Sequence, residues 1–229
     1  MRLAVEGVTK DFLRAGVQTE SNVLAAVKET SFSPEPGMLT VIMGRSGSGK
    51  TTLLNIMAGL LAPTTGSVLY DGESLYAMTD EALSAFRNRH IGYIPQGQNA
   101  VGSLSVKENI LLPYLIQNEQ GVDEQYLSEM MKRLHIEELK DARPVELSGG
   151  ELRRAAIARG LIKKPEIILA DEPTGDLDDE NTAVVLKLFK EAAEQDRTVV
   201  VVTHENEARN YADALYRMDA GTLKKDALS

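Results

Sequence analysis

The chain has no cysteine and no tryptophan among its 229 residues. Without cysteine there are no disulfides, no thiolate metal sites and no cysteine nucleophile, which fits a reducing compartment. Positive charge is in short supply: 25 Lys and Arg stand against 34 Asp and Glu, a net charge of −9. A nucleic-acid partner is therefore not expected, because binding a phosphate backbone needs a positive footprint. Long hydrophobic runs are missing as well. The longest, residues 167–170 and 199–202, fall far below the roughly 18 residues that cross a bilayer. No apolar stretch of signal-peptide length follows Met1. A membrane can concern this chain only through a partner.

What is present is ordinary globular material, 43% hydrophobic and 26% charged, enough for one large core. Residues 1–43 read as short strands and turns, with strand signals at Leu3/Val5 and over 23–32 and a polar loop over 14–22. The apolar run from Met38 to Met43 suits a strand buried on both faces. Leu53/Leu54, Ile56/Met57 and Leu60/Leu61 recur at helical spacing, and Pro63 and Gly66 should end that helix. Thr79 or Asp80 caps a short helix to Arg87. Over roughly 97–160 the pattern turns helical and more polar, with capping-box signatures at Ser105 with Glu108 and Ser148 with Glu151. Beyond it, strands over 166–170 and 198–202 alternate with helices over 178–195 and 208–213, before a hairpin turning at Asp219-Ala220-Gly221. The expectation is an α/β fold with a mostly parallel sheet covered on both faces and a helical insertion.

Gly44-Arg45-Ser46-Gly47-Ser48-Gly49-Lys50-Thr51 matches the phosphate-binding pattern G-x-x-x-x-G-K-[ST]. Glycines let successive backbone N–H groups converge on one concavity. The helix that follows adds its positive end. Lys50 supplies a point charge for the β/γ-phosphates, and the Thr51 hydroxyl can ligate Mg²⁺. The pattern sits between an expected buried strand and an amphipathic helix, the context it requires. A nucleoside triphosphate is the expected ligand.

The strand over 166–170 ends in Asp171-Glu172. In open α/β sheets, ligands bind beyond the carboxyl ends of the strands. Asp171 is then the natural Mg²⁺ partner, and Glu172 is placed to orient or deprotonate the attacking water. The strand over 198–202 ends in the same direction with Thr203-His204, which makes His204 a candidate γ-phosphate contact. His90 and His135 lack such a setting and read as structural or surface residues.

Phosphate loops serve many enzymes, so the class has to come from elsewhere. Leu147-Ser148-Gly149-Gly150-Glu151, with Arg154 following, resembles the signature motif of ATP-binding-cassette (ABC) ATPases. The resemblance covers essentially the whole chain, residues 1–229, as a single ATP-binding domain with its helical subdomain at about 97–160. It implies a P-loop NTPase core, an N-terminal antiparallel β subdomain and an inserted α-helical subdomain. Gln96 matches the family's Q-loop glutamine, implying a Mg²⁺ ligand beside Thr51 and Asp171. Gly175-Asp176-Leu177-Asp178 occupies the D-loop position, and His204 that of the switch histidine. Phe12 matches the aromatic that stacks on adenine. The implied nucleotide contacts are Phe12, the loop from Gly44 to Thr52 (Thr52 included), and Ser148, Gly149, Gly150 and Asp178. The departures are Glu151, where Gln is more frequent, Leu152, Gly160 and Glu205; none removes a catalytic group. The stretch Asp171 to Asp178 looks closest to the subgroup of lipoprotein-release, macrolide-export and FtsE-like ATPases. The resemblance implies a homodimer with two ATP molecules between the copies, acting on a separate integral-membrane permease from the cytoplasmic face. An FtsE-like ATPase driving a signalling or mechanical membrane complex is the alternative. Residues 98–103, where the family meets that partner, are the least typical stretch.

Overall fold

The computed structural model of the chain describes residues 2–13, 23–97 and 99–228; the polar loop expected over 14–22, and Gln98, lie outside them. The chain begins with β1 (Leu3–Leu13), β2 (Val23–Phe32) and β3 (Leu39–Met43), followed by α1 (Lys50–Met57), β4 (Thr65–Tyr70), β5 (Glu73–Ser74), α2 (Asp80–His90) and β6 (Ile91–Ile94). A helical stretch follows: α3 (Val106–Ile110), α4 (Leu112–Ile116), α5 (Glu124–Arg133) and α6 (Gly149–Leu161). The last part returns to alternation with β7 (Ile167–Asp171), α7 (Asp179–Glu194), β8 (Thr198–Thr203), β9 (Ala214–Asp219) and β10 (Thr222–Asp226). Two sheets result. One is antiparallel, in the order β2-β1-β4-β5; the other runs β10-β9-β3-β8-β7-β6 and is parallel except at β10.

Every residue of β3, β7 and β8 is buried, and their side chains divide by the strand period of two. Val41, Ile168, Ala170, Val199 and Val201 face one hydrophobic cluster, closed by α3, α5, α6 and α7. Ile42, Ile167, Leu169, Val200 and Val202 face the other, closed by α1 and the antiparallel sheet. Each fully buried aliphatic side chain contributes about 1.5–3 kcal/mol, so neither face can be left to water. The helical block is thus one of the two covering layers of the sheet.

Helix α1 is shorter than its apolar spacing suggests. It stops at Met57, and Gly59 follows in the left-handed region at φ 66°, the usual way a helix is closed by glycine. Gly160 is held small by packing. A Cβ there would lie 2.6 Å from Ile94 Cγ1, and one on Gly92 would lie 2.2 Å from the Gly160 carbonyl oxygen. Helix α6 and strand β6 therefore meet almost backbone to backbone.

Candidate active site

The sheet order places four strand ends in a row. Strands β3, β8, β7 and β6 are neighbours and parallel, with Met43 level with Thr203, Val202 with Asp171, and Ala170 with Ile94. The chain leaves them through the glycine loop, His204, Asp171-Glu172 and Pro95-Gln96 respectively. Residues far apart in sequence converge because the strands that carry them end at one edge.

At that edge lies a cavity of about 490 Å³, lined among others by Phe12, Ser46, Gly47, Gly49, Lys50, Thr51, Thr52, Gln96 and Glu172. Gly47 and Gly49 have φ of 76° and 105°, values that L side chains rarely adopt. A Cβ on Gly49 would also lie 2.2 Å from the Ala26 carbonyl oxygen, so β2 presses directly against the loop. The turn between β9 and β10 braces it from another side, the Gly221 N–H donating to the Ser48 carbonyl at 3.0 Å. Lys50 is only 6% exposed; its Nζ donates to the carbonyls of Gly44 (2.7 Å) and Arg45 (3.2 Å) and lies 3.5 Å from Glu172 Oε1. Phe12 is 39% exposed with Lys10 Nζ 5.4 Å from its ring centroid. An exposed aromatic at the mouth of a cavity offers a flat apolar face to a base.

The two carboxylates have opposite surroundings. Glu172 is buried and adopts φ 45°, a left-handed conformation that costs a non-glycine residue about 1–2 kcal/mol. That turn aims its carboxylate back across the loop. Oε2 accepts from Thr203 Oγ1 at 2.9 Å and from the His204 N–H at 3.2 Å, and sits 3.0 Å from His204 Nδ1. Burial alone would raise its pKa, but the His204 and Thr203 hydrogen bonds and the Lys50 charge outweigh it and hold it below the usual value. Asp171 goes the other way. Burial pushes its carboxyl up, and the neighbouring Glu172 adds to this; the Thr51 hydroxyl, Lys50 and Arg153 pull down but are outweighed. Both Asp171 oxygens are buried with no partner in hydrogen-bond geometry. An unpartnered buried carboxylate beside a hydroxyl is the donor set a hard divalent cation uses, with phosphates and water completing its shell.

Asp171 should therefore weaken the nucleotide-free fold. Asp171→Asn removes a buried charge that Lys50 and Arg153 offset only in part and should stabilise that form by about 1–2 kcal/mol at pH 7, a rise in Tm of a few °C for a chain of this size. The native carboxyl binds its proton more tightly than the unfolded one. The native protein thus gains stability as pH falls through that raised value, and the gap to the variant should close in acid. Thermal melts at pH 7 and in mild acid check this; a variant that melts lower at pH 7 would show the carboxylate to be satisfied as it stands.

Residues 27–175 match the family profile described as ABC transporter. The chain is 38% identical over 227 residues, 98% of it and 94% of the relative, to the lipoprotein-releasing system ATP-binding protein LolD of Chromohalobacter salexigens. The chain belongs to the ABC transporter family. It is also 40% identical over 200 residues, 86% of its length and 78% of the relative's, to the ABC transporter ATP-binding protein YxdL of Bacillus subtilis. Among solved structures, the dimeric post-hydrolysis state of the ATP-binding cassette MJ0796 bound to ADP and Pi matches with a TM-score of 0.90 at 32% identity, over 99% of each chain. The protein is an ATP-binding, ATP-hydrolysing cassette of a transporter.

The remaining expected ABC residues do not share the cavity. Ser148, Gly149 and Gly150 open α6, and Asp178 precedes α7; none of them lines it. Ser148 forms a full capping box: its Oγ accepts from the Glu151 N–H at 3.3 Å, and its own N–H donates to Glu151 Oε2 at 2.7 Å. Its hydroxyl also donates to Glu151 Oε2 at 2.7 Å. Asp178 Oδ1 accepts from the Asn181 N–H at 2.8 Å, so its carboxylate is engaged in capping α7. His90 pairs with Glu166 at 3.2 Å, away from the site. Glu205, after the switch-position histidine, accepts a short hydrogen bond from the Thr174 hydroxyl and so ties that strand end to the loop after Glu172. Sequence reasoning missed Thr203, Ala220, Gly221 and the 24–26 segment. The Asp219-Ala220-Gly221 turn was legible, but nothing local says it meets the glycine loop.

Proposed function

We propose that two copies of this chain close head to tail over two ATP molecules and drive a separate integral-membrane permease from the cytoplasmic face, in export or in extrusion of a lipid, lipoprotein or peptide. In this reading the chain, 1–229, is one cassette with its helical subdomain at about 97–160. The observation that carries it is the position of Ser148: an anion-attracting helix start, with two glycines and a hydroxyl, that is absent from its own chain's nucleotide cavity. Relatives named for lipoprotein release and a dimeric neighbour with ADP and Pi support the same reading.

Within each half, the loop N–H groups and Lys50 hold the β/γ-phosphates, and Phe12 stacks on the base. Thr51, Gln96 and Asp171 would hold Mg²⁺, which supplies charge neutralisation at the phosphates when bound. Lys50 Nζ gives two of its three donors to the Gly44 and Arg45 carbonyls, which leaves one for phosphate. Glu172, ionised by its neighbours, orients the attacking water and takes its proton. His204 contacts the γ-phosphate from the end of β8. Ser148 and Gly150 of the second copy complete the donor set, since phosphoryl transfer needs placement and charge stabilisation above all. The permease would dock beside the Q-loop, where Leu115 and Ile116 of α4 and Val101 stand exposed. A cavity of about 400 Å³ there is lined by Leu60, Leu112, Pro113 and Ile116 with Arg87, Arg159 and Lys163.

Complementation by mixing tests the shared site. Lys50→Ala and Ser148→Ala proteins should each be inactive alone. Mixed in equal amounts, half of the two-fold dimers are hybrids, each with one intact composite site, so ATPase activity should recover to about a quarter of native. No recovery would place Ser148 and Lys50 in service of the same copy and sink the sandwich.

A further inference from the structure

Arg153, next to the signature residue Arg154, is 2% exposed. Its Nη1 donates to the Pro95 carbonyl at 2.7 Å, immediately ahead of Gln96, and its Nη2 lies 3.7 Å from Asp176 Oδ2 in the D-loop. Its Nε is buried with no partner. Six residues on, Arg159 Nη1 donates to the Asn99 carbonyl at 2.6 Å, on the other side of Gln96, and Asn99 Nδ2 reaches back to the Gln96 carbonyl at 3.4 Å. Helix α6 thus grips the segment carrying Gln96 at both ends. The Gln96 side chain itself is exposed and lines the nucleotide cavity. A buried guanidinium is costly unless its donors are used, and a long aliphatic side chain would fill the same space without that cost. Arg153 spends its donors on the backbone next to Gln96 and on the D-loop, not on the core around it.

We propose that Arg153 is a positioning residue: its guanidinium fixes the Q-loop and the D-loop against the signature helix, so that the Gln96 side chain is held at the nucleotide cavity. The proposal rests on Gln96 being a ligand of the nucleotide-bound cation, as set out above. The link is physical because the helix whose N-terminus faces the second copy is the same helix that holds Gln96. A shift of α6 on dimer closure or on permease docking therefore moves the Q-loop directly.

The test reads binding, not turnover. ADP affinity is measured by calorimetry with and without Mg²⁺ for the native protein, Arg153→Met, Gln96→Ala and the double variant. Arg153→Met keeps the aliphatic volume. It should leave Mg²⁺-free ADP binding unchanged and reduce the tightening by Mg²⁺ roughly tenfold, as loss of a support behind a metal ligand does. Adding Gln96→Ala to it should cost almost nothing more. Amide exchange around Gln96 in the nucleotide-free protein should quicken in Arg153→Met and not in Gln96→Ala. If Gln96→Ala loses the Mg²⁺ effect while Arg153→Met keeps it, or if the two losses multiply, the positioning role is wrong. If Gln96→Ala keeps the full Mg²⁺ effect, the ligand reading of Gln96 fails and the proposal falls with it. Should Arg153→Met not fold, Asp176→Asn carries the test, because Asp176 is 49% exposed at its side chain. A roughly threefold loss of the Mg²⁺ effect is expected there, and native behaviour in that variant overturns the proposal.

Discussion

Glu172→Gln should bind ATP as tightly as the native chain and hydrolyse it roughly 10³-fold more slowly, the scale on which a positioned general base acts. The substitution keeps shape and removes charge. It also disturbs a defined set of contacts: Oε2 accepts from Thr203 Oγ1 and the His204 N–H, and Oε1 lies 3.5 Å from Lys50 Nζ. An amide can keep its carbonyl toward Thr203 and His204, so its NH₂ then faces the lysine. Of the loop that cradles phosphate, only the Lys50 contact is touched. With turnover blocked and ATP held, the two-copy form should accumulate, and gel filtration with ATP and Mg²⁺ reads it directly. A variant that stays monomeric there overturns the two-copy sandwich, and one that still hydrolyses ATP at a tenth of the native rate removes Glu172 from the reaction. The same surroundings fix the acid side of the pH profile. Because the His204 and Thr203 hydrogen bonds and Lys50 outweigh burial and lower the Glu172 pKa, the base stays ionised well below neutrality. Loss of rate between pH 7 and 5 in the native chain must therefore come from groups other than Glu172, whereas removing His204 should raise the Glu172 pKa and move the acid loss of rate to higher pH.

The sheet edge was legible in the sequence because its signals are local and chemically narrow. A buried apolar run followed by the glycine loop, and two more such runs ending in Asp171-Glu172 and Thr203-His204, place the functional groups at strand ends before any pairing is known. Only the order of the strands was then needed to bring them together. What stayed hidden depends on contacts between distant segments. Gly59 closes α1 earlier than its apolar spacing suggests, because a left-handed glycine overrides a pattern that would permit about one more turn. The Thr203 hydroxyl looks like one more β-branched strand residue until Glu172 folds back on it. The pressure of Ala26 on Gly49, and of the turn at Gly221 on Ser48, comes from strands that the sequence gives no reason to pair with the loop. Arg153 reads as one of a pair of helix arginines. Only the packing of α6 against β6, nearly in backbone contact at Gly160 and Gly92, shows which of the two is turned inward.

Lys50→Ala should cost roughly 100-fold or less in ATP affinity, the order expected when one charge-assisted contact to phosphate is lost. It should cost little for adenosine, which offers the loop no phosphate. The contrast matters more than the size of either number. If Phe12 and the apolar surfaces near Ala25 and Ala26 hold the base, adenosine affinity belongs to that end of the cavity and is indifferent to position 50. If Lys50 holds the β/γ-phosphates, the loss should grow from adenosine through ADP to ATP. Lys50→Arg separates charge from fit: it keeps the cation but replaces a compact point charge with a planar fork, which the narrow space beneath the Gly44 and Arg45 carbonyls does not suit. It should therefore recover only part of the ATP affinity. The amine also lies 3.5 Å from the Glu172 carboxylate in the nucleotide-free chain. Its removal leaves that buried carboxylate with one fewer cation, so the Glu172 pKa should rise in Lys50→Ala, and acid unfolding should begin at a higher pH than in the native protein. Calorimetry across adenosine, ADP and ATP decides the assignment. Equal losses for all three would mean that the lysine supports the fold of the loop and does not bind phosphate, and an undiminished ATP affinity would mean that the glycine loop is not the phosphate site at all.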